Sequence, residues 1–67
     1  MEKLKLNLDG KKMTVNRKDY VRLKTKDLQG FGYSNLTEKE VDEAVTKALE
    51  GKAEDVVSMF IESDLDK

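Results

Sequence analysis

The first sixteen residues alternate between apolar and polar positions. Leu4, Leu6 and Leu8 are interleaved with Lys3, Lys5 and Asn7, the period of two that a half-buried strand requires. Asp9-Gly10 follows, a dipeptide favoured in two-residue type I′ turns because both central positions need positive φ. Closing the turn there pairs Leu8 with Lys11, Asn7 with Lys12, Leu6 with Met13, Lys5 with Thr14 and Leu4 with Val15. One face then collects Leu4, Leu6, Leu8, Met13 and Val15. The other collects Lys3, Lys5, Asn7, Lys12, Thr14 and Asn16. The pattern predicts a β-hairpin over residues 1–16.

The second half changes period. Thr37-Glu38-Lys39-Glu40 has the form of a capping box, with Leu36 and Val41 at the two positions of a hydrophobic staple. Val41, Ala44, Val45, Ala48 and Leu49 then recur at helical spacing. Glu43 and Lys47 stand four apart in the favourable order, and Gly51 supplies a stop. These signals predict a helix over 38–50. Val56, Val57, Met59, Phe60 and Ile61 predict a second helix over 53–63, with Glu54 and Asp55 at its positive end. A β-strand over 56–61 is the rival, because β-branched residues are frequent there. The connection between the two helices is short enough for an αα-hairpin. Residues 64–67 read as a frayed tail.

Residues 17–30 admit two readings. As a helix, Asn16 is the N-cap, Val15 and Tyr20 form the staple, and Tyr20, Leu23 and Phe31 lie near one face. Lys18, Arg22 and Lys26 then line the opposite face. As a strand over 20–24 followed by a turn, the same bases scatter. Either way the chain is an α+β domain: a hairpin, with a third strand if 20–24 is extended, packed on two or three short helices.

Composition narrows what such a domain does. Sixty-seven residues hold one core. With no cysteine, neither a disulfide nor a thiolate metal site supplements that core. The N-terminus lacks the apolar run of a signal peptide, and no stretch is apolar for long enough to span a membrane, so a cytoplasmic location is expected. Histidine is absent as well, which removes the usual general base near neutral pH and the commonest metal ligand. The serines Ser34, Ser58 and Ser63 have no nucleophile-elbow context. Asp64 and Asp66 have the opening spacing of a calcium loop whose remaining ligands do not follow. The expectation is a protein that is not an enzyme and carries no cofactor or metal.

Charge is sorted along the chain. Residues 1–26 contain nine Lys/Arg and three Asp/Glu, whereas residues 27–67 contain four Lys/Arg and eleven Asp/Glu. Segregated charge suits a molecule that presents one sign to a partner. The expected function is a small protein-binding regulator or inhibitor, of the kind phages and plasmids carry. Its partner would meet the acidic surface of Glu38, Asp42, Glu43, Glu50 and Glu54, or the exposed edge of the hairpin by strand addition. Gly30-Phe31-Gly32-Tyr33 is a further candidate, with Phe31 and Tyr33 as partner-binding anchors. Core burial of the two rings between left-handed glycines is the preferred reading, because a chain with four aromatics has few to spare. The alternative function is nucleic-acid binding through Lys3, Lys5, Lys12, Lys18, Arg22 and Lys26. The acids opening the 38–50 helix oppose it, since they would face phosphates badly. A homo-oligomer joining basic and acidic faces is a further expectation.

Overall fold

Asp9 and Gly10 take φ values of 54° and 83° and fold residues 3–16 into a two-stranded antiparallel hairpin, β1 (Lys3–Leu8) and β2 (Lys11–Asn16). The computed structural model describes residues 2–66. The register is the one the alternation predicts, extended at the open end by Lys3 opposite Asn16. Three helices follow: α1 (Arg17–Gly30), α2 (Glu38–Leu49) and α3 (Val56–Asp64).

Residues 17–30 are helical, which settles the open choice in that segment. Asn16 caps α1, its side chain accepting from the amide of Lys18 at 2.9 Å. Tyr20, Val21, Thr25 and Leu28 are buried. Leu23 and Phe31, expected on the Tyr20 face, are not: they are 63% and 82% exposed. The helical step explains the difference, because Leu23 falls with Asp19 and Asp27 on the flank of the helix rather than under it.

Two Schellman motifs end α1 and α2. The amides of Gly32 and Tyr33 donate to the carbonyls of Gln29 and Leu28, and those of Gly51 and Lys52 to Ala48 and Lys47. Both motifs place a glycine at positive φ, 111° at Gly32 and 72° at Gly51, where a Cβ would be penalised. Gly30, by contrast, is an ordinary helical residue. The reversal at Gly32 leaves the Phe31 and Tyr33 side chains outside the core, which corrects the expectation that they fill it.

The capping box of α2 forms as predicted, with Glu40 N donating to Thr37 Oγ1 at 3.2 Å and Thr37 N donating to Glu40 Oε1 at 3.1 Å. Helix α3 begins three residues later than the sequence suggests. Asp55 caps it, accepting from Ser58 N at 2.8 Å, while Ser58 Oγ accepts from Asp55 N. The Ser58 amide holds the Asp55 carboxyl below its usual range. Lys47 reaches Glu54 and Asp55 instead of Glu43, and the Glu54 hydrogen bond pushes its own pKa upward.

Leu4 and Leu6 of the hairpin meet Val21, Val41, Val45, Ala48 and Ile61 in one aliphatic core, and α2 packs on α3. The last described residues are tied down rather than frayed. Leu65 is buried and bridges to Leu6, and Asp66 N donates to Lys5 O at 2.9 Å. The outer edge of β1 is thereby closed. The expected fray at residue 67 lies outside the described residues. No helix among those described is long and apolar enough to cross a membrane.

Candidate protein-docking surface

Helix α1 runs beneath the apolar face of the hairpin without covering it. Leu6 and Val15 form the floor of the resulting groove with Tyr20, and Leu8, Met13 and Leu23 stand along its rim. The groove encloses about 270 Å³. Leu8 and Met13 are each more than a third exposed, so the turn end of the hairpin's apolar face is only partly covered.

On the α1 side, Asp19, Leu23, Asp27 and Phe31 recur every four residues. Phe31 keeps near-helical angles as the C-cap (φ −91°, ψ 7°) and so continues the stripe past the last turn. Leu23 and Phe31 are the most exposed large apolar side chains among the described residues. Tyr33 is also exposed, on the far side of Gly32. Of four aromatic rings, Tyr20 alone is buried.

A polar clasp lines part of the groove. The Tyr20 hydroxyl donates to Asp64 Oδ2 at 2.7 Å, and Lys24 Nζ donates to the same oxygen at 2.8 Å. Burial, reinforced by the Asp64 hydrogen bond, raises the Tyr20 pKa far above the ordinary phenol value. Tyr20 and Lys24 stand one helical turn apart, so their shared face is legible in the sequence; Asp64 as their common acceptor is not.

The acidic candidates divide. Asp42 is taken by Arg17, whose Nε donates to Asp42 Oδ1 at 2.9 Å while Nη1 reaches Glu2 at 3.0 Å. Glu54 is taken by Lys47. Glu38, Glu43 and Glu50 are exposed and make no ion pair among the described residues. Glu43 lies on a larger groove between α2 and α3, about 440 Å³, whose Glu40, Lys47 and Asp55 are already used in caps and ion pairs. That prior use makes it the poorer recognition site despite its size.

The basic candidates also divide. Lys3, Lys5 and Lys12 lie on the outer face of the hairpin. Lys18 and Arg22 lie on α1 in a groove shared with Glu38 and Asp42, and Lys26 is exposed further along α1. Among the described residues no group of His, Cys, Asp and Glu is arranged to hold a metal ion. Comparison with family models, curated proteins and solved structures finds no match to this chain.

Proposed function

We propose that this chain is a small non-enzymatic protein-binding regulator that meets its partner along the hairpin edge and the groove beside α1. The observation that carries the reading is the placement of Leu8, Met13, Leu23 and Phe31. In a chain 40% charged and 37% hydrophobic, Leu8, Met13 and Leu23 are left open around one groove, and Phe31 continues the Leu23 stripe of α1 beyond it, instead of completing the core. Exposed apolar groups with charged neighbours mark association surfaces, and an aromatic such as Phe31 is a frequent anchor. A domain of this kind acts by occupying a surface of its partner, as an inhibitor or regulator does. Nucleic-acid binding has less support. Phosphate contact calls for a continuous basic surface, and here Lys18 and Arg22 share their groove with Glu38 and Asp42.

Photo-cross-linking in the cells that produce the protein tests this reading. A benzophenone side chain at position 23 is expected to give one discrete protein adduct, and the same group at position 50 none. Adducts formed only with nucleic acid, or no adduct at position 23, would contradict the proposal. A discrete adduct at position 50 alone would move the contact to the acidic surface of α2.

A further inference from the structure

We propose that β2 accepts an extended acidic peptide as a third strand, with acids over the lysine face and alternate apolar side chains in the groove. This rests on the protein-binding reading above and specifies how the partner is held.

The backbone of β2 sets the first requirement. Arg17 N donates to Glu2 O at 3.0 Å, which makes residues 2 and 17 a hydrogen-bonded pair in the hairpin register. Bonded pairs alternate in an antiparallel ladder, so Leu4–Val15, Leu6–Met13 and Leu8–Lys11 are bonded across the hairpin. The N–H and C=O groups of Lys12 and Thr14 therefore point away from β1. The same parity directs the Lys5 carbonyl to the opposite edge, where Asp66 N occupies it. The two edges differ: that of β1 is bridged at Leu6 by residues 65–66, whereas β2 has no strand beyond it. Lys12 and Thr14 are both exposed, and no backbone group outside the hairpin bonds to them among the described residues. Such a row of free donors and acceptors is complementary to an extended strand.

Charge selects the kind of strand. Lys3, Lys5, Lys11 and Lys12 form no ion pair among the described residues, and β2 contains no acid. A second copy docking antiparallel through its own β2 would set Lys12 against Thr14 and offer the lysine no carboxylate, since β2 contains none. A strand with Glu or Asp at alternate positions instead places carboxylates beside Lys12 on the outer face. Its intervening side chains point to the inner face, toward Met13 and Leu23. Acids beside Leu23 would be rejected, because Asp19 and Asp27 flank it and carry no ion pair of their own among the described residues, while Lys11 shares the Leu8 face nearer the turn. A strand with its acids beside Lys12 and apolar residues beside Met13 and Leu23 suits both faces, and a one-residue slip would exchange them.

The probe is a fluorescein-labelled octapeptide alternating Glu and Val, titrated into the full protein at low and moderate salt, with binding mapped by amide chemical shifts. Saturable binding that weakens as salt rises is expected, with the largest shifts at Lys12 and Thr14. The peptide N-methylated on the residues that face β2, and the matching Lys–Val peptide, should each bind at least about tenfold more weakly. Thr14→Pro removes an outward N–H that the hairpin does not use, and Lys12→Glu reverses the selecting charge; each should also lose about tenfold. If Thr14→Pro disrupts the hairpin, Lys12→Glu and the N-methylated peptide carry the same test. Equal binding of the Lys–Val peptide, shifts confined to α2 and α3, absence of binding, or self-association of the free protein through β2 would each overturn strand addition. A discrete adduct at position 23 without peptide binding at β2 would overturn only this mode of holding the partner.

Discussion

Ile61→Ala is expected to lower the unfolding free energy by about 2–5 kcal/mol, the usual cost of emptying a buried aliphatic site. Ile61 is fully buried on α3 and belongs to the same cluster as Val41, Val45 and Leu4, so its removal opens a cavity in the core that α3 shares with α2 and the hairpin. A domain of this length typically has only about 3–10 kcal/mol to lose. Each kcal/mol shifts the melting temperature by about 4–8 °C at this size, and thermal unfolding followed by circular dichroism should register a drop of tens of degrees. Phe31→Ala removes a larger side chain yet should change stability by no more than about 0.5 kcal/mol, as surface substitutions do. A comparable loss at both positions would mean that Phe31 is packed in solution, which would remove it from the docking surface.

The second large effect belongs to the Tyr20–Lys24–Asp64 clasp. Asp64→Ala leaves a mostly buried ammonium and a phenolic hydroxyl without their acceptor, a loss of about 2–3 kcal/mol. Tyr20→Phe isolates the phenol and gives a pH signature. The folded-state pKa of Tyr20 lies above its ordinary value of 10.0, so the native state keeps a proton that the unfolded chain gives up. Stability from this group is complete below pH 10 and falls as pH rises beyond it, by about 1.4 kcal/mol per pH unit. Urea titrations between pH 9 and 11.5 should show the wild-type chain losing stability faster than Tyr20→Phe. Parallel pH dependence in the two proteins would place the phenol in solvent.

What could be read from the sequence was local. The hairpin register follows from alternation around Asp9-Gly10, and the start of α2 from Thr37 and Glu40, because both signals act within four residues. Helix α1 was undecided because its apolar residues are few: Tyr20, Val21, Leu23 and Leu28 fit either period over a short window. The misreadings concern partners distant in sequence. Nothing near Asp64 announces that Tyr20 and Lys24 will hold it, and nothing near Asp66 announces the Lys5 carbonyl. Scarcity of aromatics points Phe31 to the core, whereas the Schellman turn at Gly32 decides its direction. The pairing of Lys47 with Glu54 and Asp55, rather than with Glu43, likewise needed the α2–α3 packing to be known. The proposed docking surface is legible in the sequence as a free hairpin edge and as the Phe31 and Tyr33 anchors. Its groove emerges from the way α1 passes beneath Leu8 and Met13.

The free edge of β2 is tested most directly by amide hydrogen exchange on the isolated protein at neutral pH. Met13 and Val15, bonded to β1, should be protected, while Lys12 and Thr14 should exchange near the rate of an unstructured chain. Strong protection at Lys12 and Thr14 in the free protein would mean that the edge is already occupied, and no partner strand could add there.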